Sequence, residues 1–217
     1  MGKIFDINSP VMRFFAMVAN LFLVNLLFII CCLPVVTVGA SFAALNKVMK
    51  DVVSDKGDAA VCKPFFRAFR ENFKQATVIW LIMAIVLAVA AWSVLLSTSM
   101  GDAALRLSQT VFRIIAIIVL AVAMYVFPLI TRFQNTLGRH LLNAVILAIA
   151  SLPRTVLITL INAVPFLVAY YCTLEVILSA GFYWLIIGPA VGTYFTNWLL
   201  QPVFSKFEPD DITENSL

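Results

Sequence analysis

Residues 14–45 carry no charge, and this apolar run is interrupted once, at Leu33-Pro34-Val35-Val36-Thr37-Val38-Gly39-Ala40. A helix needs roughly 20 apolar residues to cross a bilayer core, so the run exceeds one crossing and gives two only if both are short. It reads as one crossing followed by a break. Proline removes a backbone donor and clashes with the preceding turn, glycine permits a bend, and polar groups freed inside a membrane must find partners within the protein. Pro34, Thr37 and Gly39 are therefore the expected helix break, with Thr37 and Ser41 the nearest side chains able to satisfy it.

The rest of the chain is of the same kind. Of its 217 residues 63% are hydrophobic and 12% charged, against an apolar share of about 45 to 50% in soluble domains. This is the composition of a multi-span membrane protein. The first run is too long for a cleavable signal peptide, and Cys31-Cys32-Leu33-Pro34 is a poor cleavage site, so the run is expected to stay in the mature protein. The net charge of +4 does not imply nucleic acid, because the basic residues gather between apolar segments, where membrane orientation accounts for them. Cys31, Cys32 and Cys172 lie in apolar segments and Cys62 in a basic loop, which is no disulfide framework. With His140 as the single histidine and no metal-ligand spacing, neither a metal nor a cofactor is expected.

The fold expected is all-α, a polytopic transmembrane helix bundle of about five spans with amphipathic cytosolic surface helices. Residues 1–207 form its single transmembrane domain and 208–217 an acidic, loosely ordered tail. After the first block the crossings fall at 76–96, 114–131, 155–172 and 182–200, with the amino end outside and the carboxyl end inside. The rival arrangement counts the first block as two short crossings and puts both ends inside, which Lys3 and Arg13 favour. Asn20 and Asn25 lie within the first block, where buried amides act as contacts between helices.

Most of the charge sits at 47–74, where Lys47, Lys50, Lys56, Lys63, Arg67, Arg70 and Lys74 outnumber Asp51, Asp55, Asp58 and Glu71. Excess positive charge beside a span marks the cytosolic side. Within that loop Phe65, Phe66, Phe69 and Phe73 recur at helical spacing, opposite Arg67, Arg70, Glu71 and Lys74, with Arg67 and Glu71 placed to pair. This amphipathic helix either lies against the bundle or interface or docks another protein, and Phe65, Phe69, Arg70, Asn72, Phe73 and Lys74 are its candidate partner-binding residues. Residues 132–154, with Arg132, Arg139 and Arg154, form a second cytosolic element whose apolar part is too short to cross. In the last span Gly188 and Gly192 flank Pro189 at close-packing spacing and are a further candidate contact for a partner helix.

Three stretches resemble the YesL family of small bacterial membrane proteins. They are Asn25-Leu26-Leu27 through Leu33-Pro34-Val35-Val36-Thr37-Val38-Gly39-Ala40 with Ala43-Ala44-Leu45; Phe66-Arg67-Ala68-Phe69-Arg70-Glu71-Asn72-Phe73-Lys74-Gln75-Ala76-Thr77; and Tyr125-Val126-Phe127-Pro128-Leu129 with Arg132-Phe133. The middle stretch is the most specific, and the likeness covers nearly the whole chain. Members are typical of Gram-positive bacteria, beside genes for carbohydrate importers of the ABC type. The resemblance implies an accessory component of carbohydrate transport in the cell membrane, and it supplies no catalytic residues.

The expected function is thus an accessory integral membrane subunit of a carbohydrate ABC importer, with membrane lipid and permease subunits as partners and self-association as a further option. The alternative is an independent small carrier or channel for a carbohydrate-type solute, built around the first-block break with Asn20 and Asn25. It is disfavoured because coupling-ion charges are nearly absent from the spans. An intramembrane enzyme lacks paired acids and a placed histidine, so no enzymatic activity is expected.

Overall fold

The computed structural model describes residues 10–54, 61–97, 103–171 and 173–207. The lead-in before Pro10, Cys172 and the expected acidic tail at 208–217 lie outside the described residues, as do the side chains of Arg13, Pro165 and Glu175. Seven helices make up the described chain: α1 Pro10–Cys32, α2 Val38–Val53, α3 Cys62–Ser97, α4 Ala103–Arg132, α5 Leu137–Ala150, α6 Leu152–Tyr171 and α7 Leu174–Phe204. The fold is an all-α bundle.

The first apolar block is a hairpin. A single 3-10 turn, Val35–Thr37, separates α1 from α2, and α2 folds back so that Phe28 meets Phe42 edge-on with ring centroids 4.9 Å apart. Leu21, Val24 and Phe28 of α1 share one buried cluster with Leu45, Val48 and Met49 of α2 and Phe65 and Ala68 of α3. Of the two helices only α1 is long and apolar enough to cross a membrane, as the one-crossing reading has it, and α2 turns back along it. The chain returns to the end of the bundle from which it started, and the beginning of α1 lies at the end that carries Lys47, Lys63 and Arg67, as in the rival arrangement.

The bend itself falls at Leu33 and Pro34, with Thr37 closing the turn through its backbone N–H, 2.9 Å from the Pro34 carbonyl. Gly39 is not part of it. It sits buried in the first turn of α2, where an added Cβ would run into the carbonyl oxygen of Ala76 and the Cβ of Trp80. Its role is close approach of two backbones, the usual use of small residues between membrane helices.

Two other expectations change. The amphipathic segment after Pro64 and the crossing at 76–96 are one uninterrupted helix, α3, of 36 residues. At 1.5 Å per residue this is about 54 Å, well beyond the ~30 Å hydrocarbon core, so its basic first part projects past the lipid. The crossing expected at 114–131 is the second half of a longer helix, α4, which begins at Ala103 and runs through Pro128 to Arg132.

The α1, α3 and α4 windows Phe15–Cys32, Cys62–Ser93 and Gln109–Arg132 are long and apolar enough to cross a membrane. The bent pair of α5 and α6, turning through 101°, makes a fourth crossing if counted as one span. α7 has 31 residues, length enough for the last expected crossing. Outward-facing Phe22, Ile30, Ile85, Ile117, Ile149 and Leu160 are all exposed, an apolar surface of the extent that lipid covers. The chain is a multi-pass membrane protein.

The second core cluster joins Ala43 of α2, Ala76 and Ile79 of α3, Tyr125, Leu129 and Ile130 of α4, Ala144 and Ala148 of α5, Ile158 of α6 and Leu200 and Phe204 of α7. Phe42 links the two clusters, stacking on Phe127 at 5.7 Å while it meets Phe28.

Candidate functional site

Two of the helix breaks, between α1 and α2 and between α5 and α6, are each closed by a threonine hydroxyl and an aromatic side chain from another helix. At the first, the Thr37 hydroxyl lies 2.5 Å from the Cys31 carbonyl and 2.7 Å from that of Pro34. The Trp80 indole N–H donates to the Val35 carbonyl at 2.8 Å. Ser41, the other expected partner, donates instead to the Thr37 carbonyl at 3.0 Å. At the second, between α5 and α6, the Thr155 hydroxyl is 2.7 Å from both the Ala148 carbonyl and the Tyr125 hydroxyl. Carbonyls left open by a broken helix are costly in lipid, and these contacts satisfy them.

A polar tract runs into the bundle from the basic end. Arg132 donates from Nη2 to Asn197 Oδ1 at 2.9 Å, and Asn197 Nδ2 reaches Asn46 Oδ1 at 3.0 Å and the Thr193 carbonyl at 3.0 Å. Beside it Asn162 Nδ2 lies 3.2 Å from the Thr196 hydroxyl. Asn46 and Asn197 are buried, as are Thr193 and Thr196. Sequence reasoning missed these four. The signal was present in α7, where Thr193, Thr196 and Asn197 repeat at three and four residues, one face of a helix. Asn25 does what was expected of a buried amide, accepting the Ala190 N–H at 3.2 Å one residue past Pro189, which lies inside α7.

The cavity on this tract holds about 100 Å³ and is bordered by Phe42, Asn46, Trp80, Asn162, Thr193 and Thr196. That is room for a few waters at ~30 Å³ each. It is well below the roughly 300 to 1,000 Å³ of sites for drug-sized ligands.

The larger spaces are at the basic end. A polar cleft of about 880 Å³ lies between Glu71, Asn72 and Gln75 of α3 and the α4–α5 connection with Arg132, Asn135 and Arg139. A second, of about 320 Å³, is bordered by Lys47, Asp51, Lys63, Arg67 and Glu71. Glu71 stands between them. Lys47 pairs with Asp51 at 3.1 Å, whereas Arg67 and Glu71, expected to pair, form no ion pair. The face is therefore basic and largely uncompensated, with Arg67, Arg70, Lys74 and Arg139 exposed.

The candidate partner-binding residues divide. Phe65 has no exposed surface and belongs to the α1–α2–α3 cluster, and Phe69 is partly buried against it. Phe65 is thus a core residue, not a docking one, because α2 folds back over that face. Phe66 and Phe73 stay exposed at 51% and 36%, beside Arg70 and Lys74. Asn72 binds the Ala68 carbonyl at 2.8 Å and borders the polar cleft. Gly188 and Gly192 are buried within this chain. The Trp184 ring covers Gly188, and a Cβ on Gly192 would stand 2.9 Å from Asn162 Oδ1 of α6. Neither glycine is open to a partner helix.

Among the described residues no group of three or more His, Cys, Asp or Glu side chains is placed to hold a metal. Both ring nitrogens of His140 are buried without a hydrogen-bond partner among the described residues. The two clefts present cations, amides and the Glu71 carboxylate, groups suited to recognition of a charged or polar partner.

Residues 21–94 match the family described as protein of unknown function, DUF624. The matched stretch begins in α1, includes the first break and α2, and ends near the end of α3. It therefore contains the hairpin and the exposed Phe66 and Phe73. No curated protein and no solved structure matches the chain.

Proposed function

We propose that the protein is an accessory integral membrane subunit of a carbohydrate importer of the ABC type, resident in the cell membrane of a Gram-positive bacterium. The observation that carries the partner role is the projecting start of α3, where Phe66 and Phe73 stand exposed among Arg67, Arg70 and Lys74. Aromatic and arginine side chains are enriched where proteins bind one another, and here they lie at the end of a helix that outreaches the lipid. The likeness to the YesL family supplies the importer as partner, and the match of residues 21–94 to the DUF624 family is in keeping with it. By the positive-inside rule the docking face is cytosolic.

The cavity on the polar tract, with four polar side chains on its wall, favours the second reading, an independent carrier or channel for a carbohydrate-type solute. Its volume of about 100 Å³ counts against a sugar resting there.

The two readings separate by experiment. Mild detergent extraction through an affinity tag recovers importer permease subunits if the protein is their partner. Recovery of the tagged chain alone, together with sugar uptake by liposomes holding only this protein, would establish the carrier and overturn the subunit.

A further inference from the structure

At the basic end a polar cleft and an apolar groove abut. The cleft is the one of about 880 Å³ between α3 and the α4–α5 connection. The groove, about 370 Å³, has Leu129, Ile146, Leu147, Phe204 and Phe207 on its walls. Phe133 and Asn135 border both, so the two spaces together offer a charged compartment joined to an apolar one. An amphiphile fits such a pair and a wholly polar or wholly apolar ligand does not.

The charged compartment is built and held. The Arg132 guanidinium donates to Asn197 and rests 4.5 Å from the centroid of the Phe204 ring. The same ring is a wall of the groove. Arg132 is thereby fixed at the junction of the two compartments. Gln75 Nε2 donates to the Asn135 carbonyl at 3.2 Å and ties the α4–α5 connection to α3. Arg139, exposed in the first turn of α5, adds a second cation, and Thr136 at the start of α5 makes no side-chain cap. The leading amides of that helix therefore add positive potential to the same side. Against this stands one acid, Glu71.

The groove opens to lipid. Ile146 is 53% exposed, and Leu142 and Ile149 on the same helix are more so. Those side chains belong to the lipid-facing surface, so an acyl chain can pass from the bilayer into the groove without crossing water.

We propose that this paired site binds an acidic glycerophospholipid of the adjoining leaflet, its phosphodiester held by Arg132 and Arg139 and one acyl chain laid in the groove. Glu71, across the cleft, faces the headgroup beyond the phosphate and accepts from its hydroxyls. Basic pockets between membrane helices at the cytoplasmic side are suited to anionic headgroups. A soluble phosphate ester offers the same anion but leaves the groove empty.

The test is native mass spectrometry of the full-length protein, delipidated in mild detergent and titrated with phosphatidylglycerol, phosphatidylcholine or glycerol 3-phosphate. Phosphatidylglycerol is expected to bind in preference to phosphatidylcholine, and millimolar glycerol 3-phosphate to leave it bound. Arg139→Gln weakens its binding roughly fivefold, the loss of one basic residue at a lipid surface. Ile146→Trp, which blocks the groove mouth from an exposed position, weakens it while leaving the melting temperature unchanged. Arg67→Gln removes the same charge outside the cleft and leaves binding as it was. Equal retention of both lipids, displacement by glycerol 3-phosphate, wild-type binding by Arg139→Gln and Ile146→Trp, or an equal loss in Arg67→Gln would each overturn the site.

Discussion

The indole of Trp80 in α3 donates to the carbonyl of Val35 at 2.8 Å, across 45 residues of sequence, and so closes the break between α1 and α2 from outside. Thr37 closes the same break from within, its hydroxyl 2.5 Å from the Cys31 carbonyl. Because both serve one turn, their losses should not add. Trp80→Phe is expected to cost about 1 kcal/mol and Thr37→Val about 1 to 3 kcal/mol, the range for a lost bond and for a buried group left open. The double variant should depart from the sum by about 0.5 kcal/mol or more, as residues sharing one local structure do. Thermal unfolding in nanodiscs measures all three, and strict additivity would mean that the two contacts act on separate structures.

Gly39 and Gly192 give a second, graded prediction. An alanine methyl at Gly39 meets backbone, the carbonyl of Ala76, together with the Cβ of Trp80; at Gly192 it meets the Asn162 amide 2.9 Å away, the end of a side chain. Backbone cannot turn aside and an amide can. Gly39→Ala should therefore destabilise by about 1 to 3 kcal/mol or more, the usual range for overpacking, and Gly192→Ala by less. Melting temperatures of the two variants in the same detergent decide it, and the reverse order would contradict the α2–α3 packing.

The sequence made the helices legible because apolar length and helical period are local properties, and it made the first break legible because proline acts on its own neighbours. What it left open was where the chain goes after the break. Straight continuation and return differ only in what α2 touches, and that depends on Gly39 and Ala43 finding Ala76 of α3 more than 30 residues away. The same gap explains Phe65. A stripe at helical spacing states that one face of α3 must be covered, not by what, and α2 of the same chain covers the part that includes Phe65. The polar tract was half visible, as the three- and four-residue repeat of Thr193, Thr196 and Asn197. That Asn197 would meet Arg132 and Asn46, 65 and 151 residues away, could not be read from spacing at all.

That tract supports a third prediction. Asn197 accepts from Arg132 and donates to Asn46, both through its side-chain amide. Asn197→Ala removes both bonds and leaves a guanidinium N–H and an amide oxygen without this partner in the interior. A loss of about 2 to 4 kcal/mol is expected, above that of an ordinary neutral bond because one partner is charged. A double-mutant cycle with Arg132→Met should return a coupling of about 0.5 to 3 kcal/mol. Chemical denaturation in mixed micelles provides the measurement, and a coupling indistinguishable from zero would remove Arg132 from the tract.

The last prediction separates the docking face from the core that lies beneath it. Phe65 is wholly buried and Phe66, the next residue, is 51% exposed, although their rings are in contact at 5.8 Å. Truncating a buried phenylalanine leaves a cavity and costs about 3 to 5 kcal/mol. An exposed one, away from such a feature, changes stability by about 0.5 kcal/mol or less. Phe65→Ala should therefore lower the melting temperature and the yield of folded protein. Phe66→Ala with Phe73→Ala should leave both near wild type yet reduce recovery of the importer subunits in a tagged extraction. The combination is diagnostic because misfolding and lost docking both deplete partners, and only the second does so at unchanged stability. Full recovery of partners by the exposed double variant would remove this face from the interface and return the partner role to the lipid-embedded helices.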